Sequence, residues 1–192
     1  LYFTVVVVPL QGGLGLALAL LINKRTPGVN VFRTIYFMPV VVSMVIVSIL
    51  WRFIYDGNNG LLNQLLGFMT FGKFQPIDWL GTVGTAMPAV IIMSVWQGVG
   101  YHMVIWLAGL QTIPGVLYEA AAVEGANAWQ QFRYVTWPGL RNVFIFVFIT
   151  ITMAAFSLFT QINVMTRGGP LDSTTTVIHQ AIQRGFYKQD IA

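Results

Sequence analysis

Residues 142–166 read NVFIFVFITITMAAFSLFTQINVMT, a run of 25 residues without a charge. A hydrocarbon core about 30 Å thick is crossed by roughly 17 to 25 mostly apolar helical residues, so this run is long enough to cross once. Working outward from it, residues 1–23, 34–51 and 79–118 are equally free of charge. Three of the four gaps fit one crossing each. The longest fits one crossing plus a connecting segment, because two with a turn would leave too little chain for either. The chain therefore reads as all-α and polytopic, with four transmembrane helices.

Composition excludes the soluble alternative. Ten Lys and Arg plus six Asp and Glu make 8% of 192 residues, 56% are hydrophobic, and mean hydropathy is +0.72. A soluble domain carries about 25% charged residues, and without them the exposed apolar area would exceed what water tolerates. The net charge of +4 does not indicate nucleic acid, since the basic residues are scattered with no stripe and suit membrane-flanking anchors. With no Cys there is neither a disulfide nor a thiolate metal site. Leu1 is not Met and no basic segment precedes the first apolar run, so the chain reads as an internal fragment.

Along the chain, Tyr2 to Ile22 is the first crossing. Its small residues Gly12, Gly13, Gly15, Ala17 and Ala19 suit close helix packing rather than lipid. Asn23 to Gly28 forms a polar turn, and Val31 to Phe53 is the second crossing, with Pro39 inside and Trp51 and Arg52 at its far interface. Asp56 to Gly60 turns, Leu61 to Gly67 is a short interfacial helix, and the third and fourth crossings fall at about Met87–Leu107 and Val143–Met165. A polar tail follows Arg167-Gly168-Gly169-Pro170. The basic residues tie at five per side. Dropping Arg184 and Lys188, which lie far beyond the last crossing, favours a cytoplasmic Pro114 loop by five to three.

That loop, Pro114 to Asn142, is the one long amphipathic stretch. Pro114 suits a first helical turn, Tyr118 to Glu124 continues the helix, and Gly125 stops it at a sharp turn that a Cβ would crowd. Asn127 with Gln130 makes a capping-box pattern, and Pro138 starts the next element. The result is a helix-turn-helix outside the membrane. Ala120, Ala121, Ala122, Gly125 and Ala126 give it a smooth surface beside Glu119 and Glu124, open to close approach by a partner or to packing on its own bundle.

Glu119-Ala120-Ala121, Gly125 and Pro138, within Ile113-Pro114 through Tyr118, Ala126, Phe132 and Thr136-Trp137-Pro138, resemble the EAA loop of permease subunits in bacterial ABC importers. Glu124 departs from the Asp usual before that Gly, with charge preserved. Arg33-Thr34, Phe37-Met38-Pro39, Trp51, Gly60-Leu61-Leu62-Asn63, Gly168-Gly169-Pro170 and Ser173 to Thr176 resemble the carbohydrate-type branch, its maltose or glycerol-phosphate first permease subunit.

The resemblance implies a type I importer helical bundle over 1–192, lacking a first and a last helix, with 113–138 as the cytoplasmic coupling loop. It implies a multi-pass protein of the bacterial inner membrane that translocates a carbohydrate, a sugar or oligosaccharide or else glycerol 3-phosphate, with an ATPase dimer, a second homologous permease and an extracellular or periplasmic solute-binding protein as partners. Tyr118, Glu119, Ala120, Ala121, Glu124, Gly125, Ala126 and Pro138 would couple to the ATPase. No phosphate-binding loop is present, so ATP hydrolysis is expected on a separate subunit, and no catalytic residue, cofactor or metal is expected here.

On the third crossing, Ser94, Gln97, Gly98 and Tyr101 recur at i, i+3, i+4 and i+7, one polar and aromatic face. Such a face lines either a solute path or a helix–helix seam. The resemblance favours the path, since the family uses the helix just before the EAA loop. Ser157 and Gln161 would share a face of the fourth crossing, a largely apolar wall. His102 and His179 have no second ligand at metal spacing. A secondary ion-coupled transporter is the alternative, but it needs inverted repeats or an intramembrane coupling site, and neither is visible. A membrane enzyme needs titratable groups converging in a span, yet every Asp, Glu, Lys and Arg lies outside the four gaps.

Overall fold

The computed structural model describes residues 1–23 and 28–187. Lys24, Arg25, Thr26 and Pro27 of the first polar turn, and Lys188 to Ala192 of the tail, lie outside the described residues. The α-helices in chain order are α1 (Tyr2–Ile22), α2 (Val29–Val41), α3 (Met44–Ile54), α4 (Leu61–Met69), α5 (Val83–Gln111) and α6 (Gly115–Val123). They continue with α7 (Ala128–Gln131), α8 (Trp137–Gly139), α9 (Arg141–Phe156), α10 (Thr160–Met165) and α11 (Val177–Ile182). Among the described residues there is no strand. Three helical stretches are long and apolar enough to cross a membrane, or four when α2 and α3 count as one broken span.

Two crossings differ from the sequence expectation. Val31 to Phe53 is not one helix: α2 stops at Val41 and α3 starts at Met44. Pro39 lies inside α2 rather than at the break. The break falls directly after the run Val40-Val41-Val42. Ser43 turns out of helical geometry at φ −53°, ψ 135° and restarts the ladder by accepting the Val47 N–H at 3.0 Å. The fourth crossing breaks between α9 and α10, at Ser157 to Phe159, so Ser157 and Gln161 do not share a helical face. The carbonyl of Leu158, freed by that break, accepts the Thr176 hydroxyl at 2.8 Å.

The chain forms two compact units. The first comprises Leu1–Val7, Val41–Gln97 and Met153–Ala192. Within it α3 packs on α10. Trp51 meets Trp96 edge to face at 5.5 Å between ring centroids and Tyr55 at 5.1 Å. Burial holds the Tyr55 phenol well above its ordinary pKa, so it stays protonated and donates to the Ala89 carbonyl at 3.2 Å. Asn63 organises the segment between α3 and α5. Its amide donates to the carbonyls of Asp56, Gly57 and Ile77, and its oxygen accepts from Ile77 N–H and Trp79 Nε1. A satisfied amide of this kind replaces water for groups whose loss of partners would cost about 1 to 3 kcal/mol each. After α10, Thr174 is fully buried and joins Thr166 at 2.7 Å and the Gly169 carbonyl at 2.8 Å, so the polar tail is stapled by its own hydroxyls.

The second unit comprises Val8–Val40 and Gly98–Thr152. Here α1 lays the stripe Gln11, Gly15, Ala19 against α5. Gln11 and Ala19 are buried, and a Cβ at Gly15 would stand 3.3 Å from His102, Met103 and Trp106. Gln11 Nε2 lies 3.0 Å from His102 Nδ1, and Trp106 Nε1 donates to the Gly12 carbonyl at 3.1 Å. The close packing expected of α1 is thus confined to one stripe, since Leu10, Leu14 and Leu21 are exposed. At Gly100, α5 meets α2 so closely that a Cβ would run into the Tyr36 carbonyl.

Candidate functional site

The loop after α5 is built by local backbone chemistry. Pro114 caps α6 from an extended conformation, φ −61° and ψ 129°, and accepts the Leu117 N–H at 3.1 Å. The C-terminus closes with two backward bonds, Gly125 N–H to Ala122 carbonyl at 3.0 Å and Ala126 N–H to Ala121 carbonyl at 2.9 Å. That pairing is a Schellman motif, and it requires the left-handed residue that Gly125 supplies at φ +80°. A Cβ at Gly125 would meet nothing within 4 Å. The glycine is therefore demanded by backbone conformation and not by crowding, a correction to the sequence expectation.

Asn127 and Gln130 form the capping box at the start of α7, with reciprocal bonds of 3.0 and 2.8 Å. The second helix is shorter than its pattern suggests. After Gln131 it widens into a π-helical turn, Phe132–Thr136, in which the Trp137 N–H reaches the Phe132 carbonyl. Pro138 follows directly inside α8; it has no N–H for the Tyr134 carbonyl, and a widened turn relieves the clash of its ring with that group. Tyr118 ties α6 to this turn through its hydroxyl, 2.9 Å from the buried Thr136 Oγ1.

The result is a stiff, exposed hairpin of helices. No residue of α6 is buried: Glu119, Ala120, Ala122 and Glu124 are exposed, Ala121 and Ala126 partly so, and Val123 is 89% exposed. Sequence reading missed the aromatic ladder that links this hairpin to α9. Trp129 stacks on Phe132 at 5.7 Å, Phe132 meets Trp137 at 6.2 Å, Trp137 meets Phe144 at 5.5 Å, and Phe144 stacks on Phe148 at 6.2 Å. The signal available was the run of aromatics at 129, 132, 137, 144 and 148, whose spacings fit no single helical period because the π turn and Pro138 intervene.

The polar stripe lies within the continuous helix α5. Ser94 is buried and its hydroxyl donates to the Val90 carbonyl at 2.8 Å, while Gln97 is half-buried. A Cβ at Gly98 would run into the Gln11 amide, and the Gly98 carbonyl lies 3.0 Å from His102 Nδ1. In a neutral imidazole that nitrogen either donates to Gly98 or accepts from Gln11, not both. Tyr101 is 44% exposed and stands edge to face on His102 at 5.2 Å. His179 is buried against the ring of Phe159 at 5.9 Å.

Comparison with known proteins gives one family. Residues 11–188 match the binding-protein-dependent transport system inner membrane component. The chain is 41% identical over 184 residues to the probable ABC transporter permease protein YurN of Bacillus subtilis, covering 94% of this chain and 61% of that protein. It is 38% identical over 175 residues to the trehalose/maltose transport system permease protein MalF of Thermococcus litoralis, covering 91% and 58%. The chain thus spans about three fifths of the length of these relatives. In three dimensions it resembles a chain of a bacterial alginate ABC transporter solved with an alginate pentasaccharide-bound periplasmic protein. The TM-score is 0.83 at 23% identity, over 98% of this chain and 67% of that one. Charge-free helices, the capped hairpin after α5 and the type I importer permease fold converge, and the chain belongs to the binding-protein-dependent transport system inner membrane component family, as a multi-pass protein of the inner membrane.

Proposed function

We propose that residues 1–192 form a single transmembrane permease domain of an ATP-driven importer for a carbohydrate. Its partners in this reading are an ATP-binding cassette ATPase dimer, a second homologous permease and a solute-binding protein. ATP is hydrolysed on the separate subunit. The observation that carries the reading is the hairpin of α6 and α7: neither helix has a buried residue, yet the turn between them is fixed by a Schellman motif and a capping box. An exposed element held in one conformation by its own caps, and tied to its unit through Tyr118 and the aromatic ladder, suits mechanical coupling. Tyr118, Glu119, Ala120, Ala121, Glu124, Gly125, Ala126 and Pro138 are its coupling residues, and residues 113–138 lie in the cytoplasm. The named trehalose/maltose relative supports a sugar as solute. Reconstituted with its partners in liposomes, the chain should take up solute only with ATP on the hairpin side. Uptake by this chain alone, driven by an ion gradient, would overturn the reading in favour of a secondary transporter.

Topology follows by counting crossings. One crossing, Arg141–Met165, separates the hairpin from the loop after α10. In a chain with no native Cys, Leu171→Cys, at a position 91% exposed in the loop after α10, should react with a membrane-impermeant thiol reagent on intact spheroplasts and Ala126→Cys should not. Labelling of position 126 alone would invert the arrangement.

Ser94, Gln97, Gly98 and Tyr101 are the proposed solute-facing residues. Gln97→Ala and Tyr101→Ala are the informative substitutions, because both side chains keep exposed surface and Gly98 is engaged by Gln11. Each should raise the solute concentration for half-maximal uptake roughly 5- to 10-fold, the loss of about one hydrogen bond or stacking contact. Unchanged concentration dependence with lower complex yield would assign the face to a helix seam.

A further inference from the structure

The first unit contains a pocket of about 480 Å³ lined by Arg52, Asn163, Val164, Arg167 and Gln183. Arg52 comes from the last turn of α3, Asn163 and Val164 from α10, Arg167 from the loop just past α10, and Gln183 from the residue after α11. Packing of α3 on α10 brings the first two elements together. The volume is within the range of small-molecule sites, about 300 to 1,000 Å³.

The chemistry of the lining is one-sided. Two guanidiniums line the pocket, and among the described residues no carboxylate does. The described acids of the unit are engaged elsewhere. Asp56 accepts the N–H groups of Asn58 and Asn59, Asp78 accepts the Gly81 N–H, and Asp172 accepts the Thr175 hydroxyl. Like charges around one cavity repel, and an entering anion relieves that repulsion. The fork of a guanidinium matches the two oxygens of a carboxylate or phosphate, and the amides of Asn163 and Gln183 offer both donors and acceptors for hydroxyls.

Two contrasts sharpen this. The second unit has a cavity of similar volume, about 450 Å³, lined by Val8, Leu16, Trp106, Phe144 and other apolar groups, so polarity is not a general property of cavities in this chain. Arg167 also holds φ +53°, a left-handed conformation in which glycine costs less, and glycine does occupy the next position at φ +88°.

We propose that this pocket binds the oxyanion of an acidic carbohydrate, a sugar carboxylate or sugar phosphate. The proposal rests on the importer reading and narrows its solute to one carrying negative charge. Arg52 and Arg167 hold the anion, and Asn163 and Gln183 meet neighbouring hydroxyls.

The test uses the full-length protein in phosphatidylcholine nanodiscs and saturation-transfer NMR with glucuronate, glucose 6-phosphate and glucose as probes. Glucuronate or glucose 6-phosphate should bind about tenfold more tightly than glucose, the contribution of one charge-assisted hydrogen bond. Arg167→Gly suits the backbone conformation and should abolish that preference, as should Arg52→Gln. The double variant Arg52→Glu with Arg167→Glu should turn the preference towards glucosamine, a gain that an unfolded chain cannot produce. Equal binding of all probes, or an acidic preference untouched by these variants, would overturn the proposal. So would displacement of glucuronate when phosphatidylglycerol is added to the nanodisc, with arginine-dependent retention of that lipid, which would assign the pocket to a headgroup. ATP-dependent uptake is read separately: if it persists while the pocket shows no acidic preference, the importer reading stands and this one falls.

Discussion

Glu119→Lys is expected to abolish coupled uptake while the protein still inserts and its ATPase partner still hydrolyses ATP. Glu119 is exposed on a helix with no buried residue, so the substitution disturbs nothing inside this chain. In the proposed coupling role its effect falls on the partner groove, where exchanging one member of an interfacial ion pair costs about 2 to 5 kcal/mol, a loss of roughly 30-fold or more in docking. Gly125 acts differently. Because φ is +80° and the space around it is open, the cost of a side chain is conformational. It should rise in the order Gly125→Asn, Gly125→Ala, Gly125→Val, from a few tenths to about 2 kcal/mol, since Asn tolerates the left-handed region and β-branched residues do not. Uptake and ATP hydrolysis measured together in proteoliposomes check both residues. Normal uptake in Glu119→Lys and Gly125→Val would refute the coupling role. Equal loss in all three Gly125 variants would mean that the partner, not the turn, excludes the side chain.

Gly100→Ala is expected to cost about 2 to 3 kcal/mol of stability, or to prevent accumulation of the folded chain. The added methyl would run into the Tyr36 carbonyl and stand 3.1 Å from the Phe37 Cα, and backbone atoms of α2 cannot swing aside as a side chain can. Two neighbouring glycines on α5 calibrate the claim. At Gly84 an added methyl would meet nothing within 4 Å, so Gly84→Ala should be neutral or gain up to about 1 kcal/mol from helix propensity. Gly98→Ala meets the Gln11 amide, a flexible end that can move, and should lie between the two. Thermal unfolding of the detergent-solubilised protein, followed by the loss of its monodisperse peak on size exclusion, ranks the three variants. Coincident melting of Gly100→Ala and Gly84→Ala would show that α2 yields readily, contrary to the packing described.

The sequence by itself determined the material of the fold and the shape of the α6–α7 hairpin, because both depend on short-range rules. Lipid cannot hydrogen-bond to backbone groups, so a long uncharged run must form a helix, and α1 and α5 appear where the charge gaps place them. Pro114, Gly125, Asn127 and Gln130 act on partners within five residues of themselves, which is why α6, its turn and the start of α7 could be read from spacing. The breaks at Val42–Ser43 and Ser157–Phe159 were not legible, since their freed backbone groups find partners that spacing does not reveal: the Leu158 carbonyl is satisfied by Thr176, eighteen residues on. Nor were the Asn63 hub, the seat of Gln11 against Gly98, or the meeting of Arg52 with Arg167 around one pocket. The most distant groups in each lie 16 to more than 100 positions apart along the chain, and only tertiary packing decides which distant polar side chains share a dielectric environment and must satisfy one another.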